Sequence, residues 1–244
     1  MDLAVGTSLK LLALAHDVKH IMCYYGRVAV EQVVRVPAGA PTGDRRARRR
    51  QETISEILDI ALDVMTEEGV NGLSLAEVAR RLGVQPPSIY KYFASIMAVY
   101  DALFLRGQVE HLEVLRAGMA TGGTGLDALT TGLEASGRWL LEHRALAQLL
   151  FWRPVPNFTP SAEAFAPSQE MVRIQREALA GAVAAGQLGP GADSDEAVFL
   201  VSIFITGALT QAMANEPELP WGEGRFTPLF PLIMAHLADI YPPG

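Results

Sequence analysis

Between Ile54 and Phe104 the apolar residues recur at helical spacing, and glycines cut them into pieces too short to be stable alone. Ile54, Ile57, Leu58, Ala61, Leu62 and Met65 make one stripe at i, i+3, i+4, i+7, i+8 and i+11. Gly69 suits a left-handed helix end, and Asn71-Gly72 makes a turn. Ser74 is a good N-cap, with Glu77 placed to complete a capping box. Leu75, Val78, Ala79 and Leu82 then form the buried face of a second short helix that stops at Gly83. Pro86 opens a third helix, to about Tyr92, with Ile89 and Phe93 inward. A fourth starts near Ser95 and carries Ile96, Val99, Tyr100, Leu103 and Phe104.

Short helices joined by a tight turn are what helix-turn-helix DNA reading requires, because the second must fit the major groove while the first braces it. Helical hairpins are common, so the spacing alone leaves an ordinary structural hairpin open. Charge distribution favours DNA. The net charge of −7 conceals five arginines (Arg45, Arg46, Arg48, Arg49, Arg50) directly before the stripe. From Gly107 onward there are seven arginines, no lysine and fifteen carboxylates. A basic start and an acidic remainder suit a chain that meets DNA at one end. The arginine run reads equally as a phosphate-tracking or minor-groove arm and as a solvated charge run.

The string from Ser74 to Phe93, SLAEVARRLGVQPPSIYKYF, closely resembles the DNA-binding region of the tetracycline-repressor (TetR) family. The resemblance runs from Arg48 to Arg106 and includes the Glu-Gly-Val70 ending of the preceding helix and the Tyr-Asp-Ala-Leu103 that follows. It implies an all-α protein: a three-helix head, a connecting fourth helix, and a C-terminal domain for dimerisation and small-molecule binding. Carried over by position, it offers Pro87, Ser88, Tyr90, Lys91 and Tyr92 to DNA, Tyr90 as the backbone-contacting tyrosine and Lys91 for a phosphate or guanine edge. Core packing is the alternative for Tyr90 and Tyr92. Ser74 offers a hydroxyl and helix N-terminal amides to a phosphate; Arg48 and Gln85 complete the expected set. The chain departs from the family pattern at Gln85, a poor cap where relatives place Ser or Thr, and at Ile96, where a lysine is frequent.

Residues 1–43 read as an extension with a possible helix face, a β-branched stretch and a linker at Pro37–Gly43, of unspecified role. Domains are therefore expected at 1–43, 44–106 and 107–244. Beyond Gly107, helices are expected near 107–120, 125–141, 143–152, 168–187, 194–215 and 226–241, with Pro154–Pro167 as a loop. The last two are apolar nearly all round, and a mean hydropathy of +0.19 implies apolar surface covered by a partner. A homodimer interface is accordingly expected at Phe204, Gly207, Ala208, Leu229, Ile233 and Leu237. Trp139, Phe151, Trp152, Phe158, Phe165, Met171 and Gln175 are candidates for a mostly apolar effector pocket, with plain core as the alternative.

The lone cysteine, Cys23, permits no internal disulfide. No apolar run reaches the roughly 18 residues of a membrane span, and no secretory signal is evident, so a cytoplasmic location without membrane association is expected. Phosphate-cradling loops, nucleophile elbows and metalloprotease pairs are missing from the sequence, so an enzyme is not expected. His16, His20 and Cys23 share a helix face and offer only a weak soft-metal set; no metal or cofactor is expected. The expected function is a ligand-responsive regulator on a palindromic double-stranded operator, a repressor released by a small, mostly apolar molecule.

Overall fold

The computed structural model describes residues 45–244, so the extension, its linker and the His16–His20–Cys23 set lie outside the described residues. Helix α1 (Arg45–Glu68) begins nine residues before the apolar stripe, which makes the arginine run helical. It buries Ile57, Leu58, Ala61, Val64 and Met65. Its end is set by Gly69 at φ +81 and ψ 161, a region open to glycine alone and different from the left-handed cap expected. A single turn, Val70–Gly72, leads to α2 (Leu75–Leu82).

Ser74 caps α2 as expected, its Oγ accepting from Glu77 N at 3.2 Å. The capping box is only half made, because the Glu77 carboxylate turns to Arg80 and Arg81. Gly83 sits at φ +73 and ψ 26, and the Val84 amide reaches back to Ala79 O at 3.0 Å. This left-handed stop frees the chain to start the third helix of the head, the expected recognition helix, at Pro86–Lys91, wound as a 3-10 helix.

Helix α3 (Ile96–Thr121), capped by Ser95, is one element where two were expected. Gly107 does not break it. A side chain there would press on Leu146 and Leu150 at 3.3–3.4 Å, so the glycine admits a neighbouring helix. That neighbour is α5 (Arg144–Phe151), which follows α4 (Gly125–Glu142). The expected boundary between head and C-terminal body therefore falls inside a continuous helix.

Helix α6 (Ala162–Ala184) starts inside the segment expected to be a loop and carries Pro167 in its second turn. Its start is fixed from afar: Asp101 on α3 accepts from Ser161 N at 2.7 Å and Ser161 Oγ at 2.8 Å, while Ser161 caps Ala164 N. Helices α7 (Asp195–Asn215) and α8 (Phe230–Ile240) close the body. Helix α7 is long and apolar enough to cross a membrane by length and composition, but Val198, Val201, Ile205 and Leu209 are buried in the protein. No strand occurs among the described residues. Helix α3 packs chiefly against α4 and α6, and Phe104, Leu103 and Leu115 from it are fully buried.

Candidate nucleic-acid interface and effector site

The recognition helix is divided by burial. Ile89 and Phe93 are buried against the head, which fixes its roll. Gln85, Pro87, Tyr90 and Lys91 face outward, while Ser88 and Tyr92 are half-buried. Gln85 makes no side-chain cap, as its chemistry predicts, so the prolines set the start. The Arg50 guanidinium lies 5.2 Å above the Tyr92 ring. Tyr92 is thus held partly by packing and cation–π attraction, while Tyr90 projects freely.

Arginines 45, 46, 48, 49 and 50 are all exposed on the first two turns of α1. The arginine run is thus part of a helix, and Arg48 also pairs with Glu52 at 3.6 Å. Behind the recognition helix, Glu77 bonds Arg80 and Arg81, and Arg81 continues to Glu67 at 2.9 Å on α1. Hydrogen bonds from the two arginines hold the Glu77 carboxyl down to about 2. This network locks α2 to α1 without using Lys91. The head is tied to α3 by Tyr100, whose hydroxyl donates to Val70 O at 2.7 Å, and by Arg106, which pairs with Asp59 on α1 and Glu110.

The body interior holds two aromatic groups. Phe158 meets Tyr100 at 5.8 Å and Phe104 at 6.1 Å, and Phe165 stacks on Phe104 at 6.5 Å. In the second, His111 stacks on Trp139 at 5.5 Å, Trp139 on His143 at 4.5 Å, and Phe151 stands edge-on to His111 at 5.9 Å. His111 Nε2 bonds the Ser136 hydroxyl. Gln108 is 3% exposed and His111 5%, yet Gln108 Oε1 and His111 Nδ1 have no hydrogen-bond partner. Burial pushes the His111 pKa down to about 4, so its ring is neutral near pH 7.

A separate open cleft of about 700 Å³ lies between Leu62, Met65 and Thr66 of α1, Arg138 and Leu141 of α4, and the Pro217–Trp221 loop. None of the seven expected pocket residues lines it. Its charged rim is mixed, with Arg138 and Arg144 against Glu142 and Glu218. The unpaired polar atoms lie instead in the body interior, which makes the interior the stronger candidate for a ligand.

Residues 57–103 match the family of bacterial regulatory proteins described as the tetR family. This places the tetR-family likeness in the head. Over 47 residues this chain is 45% identical to tetracycline repressor protein class A from transposon 1721 of Escherichia coli, covering 19% of this chain and 22% of that protein. Over 51 residues it is 39% identical to the uncharacterized HTH-type transcriptional regulator YobS of Bacillus subtilis, covering 21% of this chain and 27% of that one. The matched stretch thus spans about a quarter of the length of these curated relatives.

The likeness of fold extends further. A protein with unknown function from Rhodococcus sp. RHA1 superposes with a TM-score of 0.66 at 20% identity, covering 77% of this chain and 94% of that one. The transcriptional regulator FadR from Bacillus subtilis, in complex with stearoyl-CoA, gives 0.59 at 19% identity, covering 75% and 96%. The all-helical plan of head and body is therefore shared with these structures.

Within the body, the expected pocket residues divide. Trp139, Phe158, Met171 and Gln175 are buried, Trp152 and Phe165 half-buried, and Phe151 exposed at the edge of its ring group. Gln108, His111 and Ser136 were not singled out from the sequence. His111 and Ser136 are 25 positions apart on different helices, and no local pattern marks such a pair. Two polar residues three apart on an otherwise apolar helix face were the available signal. On α7 and α8, Ile203 is 65% and Leu232 66% exposed, with Leu229 and Ile240 also exposed. Phe204, Ala208 and Ile233 are half-buried, and Gly207 has open space above it. Leu237 is wholly buried within the subunit, which corrects its expected interface role: its side chain already packs in the core.

Proposed function

We propose that this chain is a ligand-responsive DNA-binding transcriptional regulator: a cytoplasmic homodimer that represses by occupying a palindromic operator and is released by a small, mostly apolar molecule. The observation that carries the reading is the exposed row Pro87, Tyr90 and Lys91 on a short helix whose other face, Ile89 and Phe93, is anchored in the head. Lys91 supplies a phosphate charge or a guanine contact, Tyr90 a phosphate contact, and Ser88 a short polar contact. Ser74 adds a phosphate contact at the start of α2, and Arg48 with its neighbours adds charge beside the groove. Gln85 and Tyr92 stand at the two ends of the row.

The exposed apolar stripes of α7 and α8 are proposed as the self-complementary interface, centred on Ile203 and Leu232 with Phe204, Gly207, Ala208, Leu229 and Ile233 around them. A two-fold dimer sets its recognition helices about one DNA turn, ~34 Å, apart. The effector binds in the body around Trp139, with Phe151 towards solvent and Met171, Gln175, Phe158 and Phe165 further along the interior. Because α3 runs unbroken from head to body, a ligand that shifts it in the body changes the spacing of the two recognition helices.

The deciding experiment is retention of labelled DNA from this gene's own upstream region over a range of salt, with Lys91→Ala beside the unaltered chain. Competitor-resistant binding that weakens steeply with salt and collapses in Lys91→Ala is expected. Failure on that region and in a genome-wide selection for bound DNA defeats the reading.

A further inference from the structure

The body interior limits the charge of anything bound in it. The buried polar residues of the described chain are Gln108, His111, Ser136, Gln175 and Thr227, with no Asp, Glu, Lys or Arg among them. Thr227 is satisfied by Gly222 N and Glu223 O, and Ser136 by His111. Among the described residues the fully buried side-chain polar atoms without a partner are two, three residues apart on α3: Gln108 Oε1, which can only accept, and His111 Nδ1, which donates or accepts according to the tautomer that Ser136 selects. Trp139 lies nearly parallel to the His111 ring, at 13°, and the exposed ring of Phe151 connects the group to solvent.

We infer that the effector is an uncharged, largely apolar molecule carrying a hydrogen-bond donor, which it gives to Gln108 Oε1 while engaging His111 Nδ1. This rests on the regulator reading above. A carboxylate has no proton to offer Gln108 and meets no buried cation. An ammonium meets no buried carboxylate. Either ion would lose its hydration without a compensating partner, whereas a phenol, alcohol or amide completes the two open bonds. Both open atoms are buried at a cost to folding, as expected of groups kept for a ligand.

The test uses the full-length protein and four probes on one ring system: 2-naphthol, 2-methoxynaphthalene, 2-naphthoate and 2-naphthylmethylamine. Binding is followed by tryptophan fluorescence and thermal shift. The naphthol is expected to bind at least tenfold more tightly than the other three. In Gln108→Leu, which is expected to hold or raise the melting temperature without ligand, the naphthol and its methyl ether should bind alike. Stronger binding of the acid or the amine, a naphthol preference that survives Gln108→Leu, or no binding by any probe overturns the inference. A lowered melting temperature in Gln108→Leu, together with no naphthol preference, assigns the two atoms to an ordered structural water and also overturns it. DNA retention separates the two readings. Intact operator binding without a naphthol preference sinks this inference alone, and a naphthol preference without operator binding sinks the regulator reading alone.

Discussion

The hydroxyl of Tyr100 donates to the backbone carbonyl of Val70 across 30 residues of chain, at 2.7 Å and in a buried setting. This bond joins the turn after α1 to the helix that leads into the body. Val70 itself is buried, so water does not readily replace the lost donor. Tyr100→Phe keeps the ring contact with Phe158 and leaves the carbonyl unpaired, at an expected cost of about 1–2 kcal/mol. Chemical denaturation should show a lower midpoint with unchanged slope; an unchanged midpoint would mean the bond contributes nothing.

Lys91 is exposed on the recognition helix and contributes nothing to the head's core. Lys91→Ala should leave the fold intact, weaken DNA binding, and lower the slope of log affinity against log salt by about 1 if it contacts a phosphate. A loss confined to one operator base would instead assign Lys91 to a guanine edge. Ile89→Ala is the contrasting change: that residue is 1% exposed, so DNA binding fails because the head loosens, with a cost of about 2–5 kcal/mol seen by denaturation.

His111 makes stability depend on pH in a defined window. Folded, it stays neutral down to about pH 4 because it is buried. Unfolded, it takes up a proton near pH 6.5. Between these values the unfolded chain binds more protons, so stability falls as the pH falls, by up to about 1.4 kcal/mol per pH unit, and levels off below pH 4. Glu77, held down to about 2, loses its contribution only below its ordinary value of 4.5, which leaves pH 5–6.5 for His111. Melting temperatures at pH 7, 6 and 5 should converge more closely in His111→Phe than in the unaltered chain; equal slopes would refute the assignment.

The outward faces of α7 and α8 predict how assembly is lost. Ile203 and Leu232 are each about two-thirds exposed, so a charge at either position does not enter the subunit core. Ile203→Glu and Leu232→Glu should halve the mass seen by light scattering while preserving helical circular dichroism, and should weaken operator binding. A monomeric unaltered chain would dispose of the dimer proposal.

The sequence by itself determined the main turns and the inward face of the head. Caps, glycine stops and apolar spacing act within about four residues, so Ser74, Gly83, Ser95 and the inward Ile89 and Phe93 were legible without the rest of the protein. The body was legible as all-helical but not in its joints. Gly107 looks like a breaker in one dimension and proves to be a contact with Leu146 and Leu150 on another helix. Pro167 looks like a loop residue, yet its helix is started by an aspartate 60 positions away. Leu237 and Leu232 are alike in composition and opposite in exposure, because only packing decides which side of α8 faces the core. The open pair Gln108 and His111 belongs to the same class. Whether a buried polar atom is satisfied depends on neighbours brought by folding from distant parts of the chain, and no local periodicity records them.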